Sequence, residues 1–314
     1  PEVILVTASA VGAPAAKEAY ALPTYYIKAV ALLAKYGDAK VEGLITNESG
    51  GLATVNGWLQ SAALGVPVVD APCNGRAHPT GVMGSLGLHK NAGYVATQTA
   101  VGGNPETGRY VEIFVRGALD KTAALVRQAA VQAGGMVAVA RNPVTAAYAR
   151  DNAAPGAVKQ AIAIGRAMRA KQGAGPLAMI EAVCEELHAE IVARGEITDV
   201  QLETKGGFDV GTVVVKTAGQ QRVELAFWNE YVSLEVAEGA QPATRVGTFP
   251  DLMATFDLAT GLPVSSAQVV VGEQIAVVRA PRERLILGAG MRDPDLARAI
   301  EEATGKAVVK YVFG

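Results

Sequence analysis

Val41-Glu42-Gly43-Leu44-Ile45-Thr46-Asn47-Glu48-Ser49-Gly50-Gly51 passes from an apolar strand pattern into a polar, glycine-bearing turn, and its reading decides the fold class. Residues 41–46 read as a buried strand. Downstream, Leu52, Val55, Leu59 and Ala63 recur at helical spacing up to Gly65, and residues 66–70 read as another buried strand. Upstream, residues 3–7 read as a first strand. Pro23 then opens a helix carrying Tyr26, Ile27, Val30, Leu32 and Leu33, and Gly37 closes it. Strands alternating with helices indicate an α/β layer.

The same alternation continues with strands at 94–99, 110–115 and 136–140 and helices at 120–133, 155–171 and 176–188. Beyond about residue 189 the pattern turns β-branched and turn-rich, with strands at 197–204, 212–217, 223–229, 231–236 and 269–278. A closing helix at 293–304 starts near Pro294 and stops at Gly305, and residues 308–313 read as a last strand. The expected organisation is an α/β domain over 1–188 that carries the site, followed by a β-rich domain over 189–314.

Composition narrows the function. The 314 residues are 50% hydrophobic and 18% charged, with 35 glycines. Lys+Arg 28 against Asp+Glu 30 leaves a net charge of -2, and no basic stripe stands out, which argues against nucleic acid as a ligand. No apolar run approaches the ~18–20 residues of a membrane span. Two distant cysteines, Cys73 and Cys184, and no secretory leader pattern suggest reduced thiols in the cytoplasm. The low charge fraction suggests buried subunit contacts, and a homo-oligomer acting on a small molecule is expected.

General catalytic signatures are absent: there is no Walker A loop, Gly-x-Ser-x-Gly, His-Glu-x-x-His or Cys-x-x-Cys. Gly81-Val82-Met83-Gly84-Ser85-Leu86-Gly87 has the wrong spacing for a dinucleotide fingerprint. The polar residues crowd instead onto two loops that follow strands, where open α/β sheets bind ligands. One is the turn at 47–51. There Glu48 could serve as acid or base or could cap the next helix, and Gly50 and Gly51 would let a ligand approach the backbone. The other is Asp70-Ala71-Pro72-Cys73-Asn74-Gly75-Arg76-Ala77-His78-Pro79. Here Cys73 reads either as a nucleophile activated by His78 or Arg76, or as a small packed residue. Asp70 reads either as a base or as a loop cap. Cys184 and His188, one helical turn apart, could ligate a metal or could be core and helix-end residues. No cofactor is expected, while a carboxylate-rich divalent-metal site stays open.

Several segments, in order, resemble one family. They are Gly50-Gly51-Leu52, Leu64-Gly65-Val66-Pro67-Val68-Val69-Asp70, Gly75-Arg76-Ala77 with Pro79, Ala154-Pro155-Gly156, Gly206-Gly207-Phe208, Gly211-Thr212-Val213, Phe227-Trp228-Asn229-Glu230, Pro250-Asp251-Leu252 and Thr260-Gly261-Leu262-Pro263. Together they are similar to the DUF917 family, also named the S-methyl thiohydantoin desulfurase family. The resemblance implies an N-terminal α/β domain, a β-rich C-terminal domain and a catabolic hydrolase that removes the methylthio group from an S-methylated thiohydantoin. Members usually carry a Gly-rich segment upstream of the position matching Val3, and this sequence lacks it. Many members read Asp-Gly-Met-Gly-Arg-Ala-Phe-Pro where this chain has Pro72-Cys73-Asn74-Gly75-Arg76-Ala77-His78-Pro79. On this reading Cys73, Glu48, Asp70 and His78 are the candidate catalytic residues, and Asn47, Gly50, Gly51, Asn74 and Arg76 the candidate binding residues. Cys73 would attack the ring carbon, with Glu48, Asp70 or His78 activating water. Alternatives are a metal-assisted hydrolase or isomerase and a ligand-binding subunit of a hydantoinase-type enzyme.

Overall fold

The computed structural model describes residues 2–314. It forms two compact units: residues up to 158 with 204–208 and 286–292, and residues 159–203, 209–285 and 293–314. An α/β unit and a strand-rich unit are thus both present, as the sequence indicates.

The first unit is built on β1 (Ile4–Gly12), α1 (Pro23–Tyr36), β2 (Gly43–Thr46), α2 (Trp58–Leu64), β3 (Ala96–Gly102), β4 (Val111–Gly117), α3 (Leu119–Gln132), β5 (Met136–Thr145) and α4 (Ala146–Asn152). Its sheet has the order β2-β1-β5-β3-β4. Only β1 and β2 pair in parallel; β5, β3 and β4 run antiparallel to their neighbours. Alternation along the strands sorts the two faces. Val6, Ala138, Ala140 and Val101 pack on Ala29, Val30 and Leu33 of α1. Val11, Val137, Val139 and Ala100 pack on Val126, Ala129 and Ala130 of α3.

Three expectations change here. The strand at 66–70 shrinks to a single parallel bridge between Leu44 and Val68, because Pro67 has no N–H to extend a ladder. The helix expected after Gly51 splits into a short 3₁₀ turn (Ala53–Val55) and α2, divided at Gly57, whose φ of +98° no helix accommodates. Its apolar face is not core: Leu52, Val55, Trp58 and Leu59 are all exposed. In addition, α4 has no counterpart in the sequence reading.

The second unit is built on most of α5 (Ala157–Ala170), α6 (Pro176–Leu187), most of β6 (Glu190–Lys205) and of β7 (Phe208–Thr217), β8 (Gln221–Trp228), β9 (Glu230–Glu238), β10 (Thr244–Thr248), β11 (Leu252–Asp257), β12 (Pro263–Val264), β13 (Gln274–Ala280), α7 (Pro294–Thr304) and α8 (Val309–Val312). Its eight-stranded sheet has the order β10-β9-β8-β7-β6-β13-β11-β12. Period-two alternation along β13 sends Ile275 and Val277 into a core with Val213, Leu225 and Phe227. Ala276, Val278 and Ala280 face the other way, onto Ile164 and Met168 of α5 and Ile180, Val183 and Leu187 of α6. That packing moves the boundary. Both helices fall with the β-rich unit, so the division lies near 158 rather than 188. The last strand is also corrected: 309–312 is helical, and Glu301 Oε1 accepts the N–H groups of Val308 and Val309. Among the described residues no helix is long and apolar enough to cross a membrane.

Candidate active site

The carboxyl end of β2 carries the chain into Asn47 and Glu48, and the loop at 71–78 runs alongside. Cys73 N–H donates to Thr46 O at 3.0 Å, Ser49 N–H donates to Asn74 O at 3.0 Å, and Glu48 and Asn74 form a parallel bridge. The two polar loops singled out in the sequence are therefore paired backbone to backbone.

A third segment completes the cluster. On β5, Arg141 follows Val137 and Val139 on the α3 face, in register with Thr7 of β1 and Gln98 of β3. Its Nη2 donates to Asn47 Oδ1 at 2.6 Å. A guanidinium can only donate, so this bond turns the Asn47 oxygen toward Arg141 and the amide nitrogen toward His78. Asn47 Nδ2 lies 3.2 Å from His78 Nε2. Facing an amide N–H, Nε2 acts as acceptor and the imidazole is neutral. Burial agrees, since it pulls the His78 pKa below its usual value against the opposing pull of Glu48.

Glu48 ends the chain of contacts. Its Oε2 accepts the backbone N–H of His78 at 2.9 Å and lies 3.3 Å from His78 Nε2. The Glu48 side chain is 15% exposed, against 1% for His78. Of this set the carboxylate is the part that solvent or a ligand reaches. The arrangement Arg141–Asn47–His78–Glu48 can hold one proton between a neutral imidazole and an accessible carboxylate, which is the minimum for general acid–base work.

The segment at 79–88 covers the cluster with glycine. A Cβ on Gly84 would stand 2.2 Å from Asn47 Oδ1 and 2.8 Å from His78 Cε1, and one on Gly81 would stand 2.5 Å from Arg141 Nη1. These glycines serve close approach to buried side chains rather than a phosphate.

The other expected residues separate. Asn74 is fully buried; its Nδ2 donates to Met83 O at 3.0 Å and its Oδ1 has no partner. Gly50 abuts Ala77, with a Cβ there 3.2 Å from the Ala77 Cβ, while Gly51 has nothing within 4 Å of that position. Arg76 is buried, at 2% exposure. Asp70 is a cap: its Oδ1 accepts Val158 N–H at 2.8 Å, at the start of α5, so the carboxylate serves a helix end.

Cys73 does not sit as a nucleophile should. It is 1% exposed and packed among Leu5, Ile45, Ala71 and Leu86; Thr7 Oγ1 lies 3.4 Å from its Sγ. Burial pushes its pKa up to about 11, so the thiol is protonated at neutral pH. Cys184 likewise packs in an apolar cluster, and His188 ends α6 in a left-handed conformation at φ +48°. Among the described residues, no three His, Cys, Asp or Glu side chains gather as a metal-ligand group.

The sequence reading misses Arg141, because it ends the strand at Ala140. An Arg-Asn pair inside Val137-Ala138-Val139-Ala140-Arg141-Asn142-Pro143-Val144 is the available signal.

The family model of the S-Me-THD-like N-terminal domain matches residues 1–109, and that of the S-Me-THD-like C-terminal domain matches residues 119–288. The chain belongs to the S-Me-THD-like family. This is the S-methyl thiohydantoin desulfurase family that the ordered segments resemble. A crystal structure of a protein from Chromobacterium violaceum shares the fold, with a TM-score of 0.65 at 23% identity over 96% of this chain and 81% of that one. No functionally curated protein matches the sequence.

Proposed function

We propose that the chain is a hydrolase that removes the methylthio group from an S-methyl thiohydantoin by direct attack of water. Family membership supports a hydantoin-related substrate. The observation that carries the mechanism is the Arg141–Asn47–His78–Glu48 chain, buried at one end and accessible at the other.

In this reading Glu48 takes a proton from water as the water oxygen bonds to the ring carbon bearing the methylthio group. The C=N electron pair moves onto the ring nitrogen, which takes that proton from Glu48. The new hydroxyl then gives its proton to Glu48 as the C=O bond forms and the carbon–sulfur bond breaks, and the departing methanethiolate takes that proton from the Glu48–His78 pair. The sum is S-methyl thiohydantoin plus water giving hydantoin plus methanethiol. Asn47, held by Arg141, keeps His78 in its accepting tautomer. Cys73 stays a packed thiol, and no covalent intermediate is required.

The test is release of methanethiol from a synthetic S-methyl thiohydantoin. Glu48→Gln should lower kcat by about 10²–10⁴-fold while the unfolding midpoint stays within ~2 °C of wild type. Absence of release by wild type, or full turnover by Glu48→Gln, overturns the assignment.

A further inference from the structure

We propose that the bare edge of the first unit's sheet joins a second copy of this chain, with β4 pairing antiparallel to its own copy about a two-fold axis at Phe114. The strand order β2-β1-β5-β3-β4 leaves two edges. The β2 edge is covered, because Leu44 N–H donates to Pro67 O at 2.8 Å and Val69 N–H donates to Leu44 O at 2.7 Å. The β4 edge is open. Among the described residues, no backbone group of 111–117 bonds to anything outside the β3 ladder. One side of this seven-residue strand is a row of unpaired N–H and C=O groups, which is a template for another strand.

Edge strands are ordinarily kept apart by charge, most often lysine, since copies that carry one sign repel. On β4 both signs are present, and their spacing is self-complementary. In Val111-Glu112-Ile113-Phe114-Val115-Arg116-Gly117, Glu112 and Arg116 stand two residues to either side of Phe114, and both are exposed. Antiparallel pairing centred on Phe114 sets Glu112 opposite the partner's Arg116 and Arg116 opposite the partner's Glu112, with Cβ atoms about 4.5–5.5 Å apart. Arg116 makes no ion pair among the described residues. Glu112 gives its Oε1 to Lys28 and to the Tyr110 hydroxyl, which leaves Oε2 for the guanidinium. The same register sets Phe114 against its copy and Ile113 against the partner's Val115. Such a contact uses one patch twice and closes on itself.

The helix above this edge supplies an independent observation. Val126, Ala129 and Ala130 of α3 pack on Val111, Ile113 and Val115 of β4, and α3 covers β3 as well. One flank of α3 looks back across the sheet: Arg127 Nη1 donates to Gly12 O at the end of β1 at 2.9 Å, and Ala123 lies beside Gly81. Leu125 is two residues from each of these, about 200° around a helix of 3.6 residues per turn, so it occupies the other flank, on the side of the β4 edge. It is 52% exposed, and the exposed residues in its row include the uncharged Gln128 and Gln132. In the joined ten-stranded sheet the two copies of α3 stand about two strand spacings apart, roughly 10 Å, which is the distance at which helices pack. Leu125 is the apolar side chain that this flank brings to the contact.

Sedimentation of the full chain between about 1 and 100 µM tests the interface. Wild type should be a dimer at the upper end. Glu112→Arg sets like positive charges opposite each other and Arg116→Glu like negative ones, so each variant alone should dimerise at least roughly tenfold more weakly. Mixed in equal amounts, the two should recover a heterodimer within about threefold of the wild-type affinity, because both cross-strand pairs again join opposite charges. Damage to the fold is not repaired by mixing. Leu125→Glu should weaken the dimer as well. A wild type that stays monomeric throughout the range overturns the proposal. So does a dimer that the charge variants leave intact, as one made through the exposed Leu52, Val55 and Trp58 would be, and so do folded variants that stay apart when mixed. If Glu112→Arg, which gives up Lys28, does not fold, an undiminished dimer of Arg116→Glu or of Leu125→Glu overturns it instead.

Discussion

Replacing Gly84 by alanine adds a single methyl group at the most tightly packed point of the candidate site. The new carbon would stand 2.2 Å from Asn47 Oδ1 and 2.8 Å from His78 Cε1. Both neighbours are buried, at 4% and 5% exposure, so neither can swing into solvent. Overpacking of this kind costs about 1–3 kcal/mol. Displacing Asn47 also breaks its 2.6 Å bond from Arg141, a charge-assisted hydrogen bond of about 1.5–3 kcal/mol. The total of about 3–6 kcal/mol is a large part of an ordinary folding stability of about 5–15 kcal/mol. At roughly 2–4 °C per kcal/mol, the unfolding midpoint should fall by about 6–24 °C. Gly51→Ala is the control, since Gly51 is exposed with nothing within 4 Å of its Cβ position. It should shift the midpoint by less than ~2 °C. Scanning fluorimetry measures both, and methanethiol release should fall with Gly84→Ala and persist with Gly51→Ala. A Gly84→Ala protein that melts within ~2 °C of wild type would refute the close packing described for the site.

Two further outcomes follow from the environments of single residues. Cys73→Ala should keep methanethiol release within about threefold of wild type and lose about 1–2 kcal/mol of stability, because the thiol is packed and protonated; a drop of a hundredfold would restore the covalent route. Burial holds the His78 pKa below its unfolded value of ~6.5, so on acidification the unfolded chain takes up the proton first. The contribution is complete above pH ~6.5 and is lost as pH falls toward the lower folded value, at up to ~1.4 kcal/mol per pH unit. Urea unfolding at pH 7 and 5.5 should therefore show a larger loss for wild type than for His78→Gln, and parallel losses would remove the buried neutral imidazole.

Legibility in the sequence follows physical lines. The helices at Pro23–Tyr36 and Leu119–Gln132 are readable because proline or glycine punctuates ends that packing then respects. The closing tail misleads because Val308 to Phe313 is rich in β-formers; what makes it helical is Glu301, seven residues away, capping two backbone N–H groups. Periodicity also misplaces Leu52, Val55 and Leu59, since a 3.6-residue stripe reports a face but not whether anything covers it. In the site, Asn47, Glu48 and His78 announce themselves by crowding polar groups onto strand ends. Arg141 does not, because its partner Asn47 is 94 residues away and only the strand order β2-β1-β5 brings β5 within one strand of β2's end. Asp70 and Cys73 are ambiguous for the same reason: a cap and a base, or a packed thiol and a nucleophile, differ in surroundings rather than in spelling.

The backbone pairing of the two site loops has an evolutionary consequence. Ser49 and Asn74 are joined by a main-chain bond, and Glu48 and Asn74 by a bridge, so Glu48 and His78 are held at a separation counted in residues along two zipped strands of loop. A substitution can change what such a position presents. An insertion or deletion of one residue between Thr46 and Ser49, or between Cys73 and His78, would slip the zipper and turn alternate side chains away from the site. Divergence in substrate at this site should thus proceed by exchanging letters at fixed loop lengths, with length variation displaced to the exposed stretch that begins at Gly51.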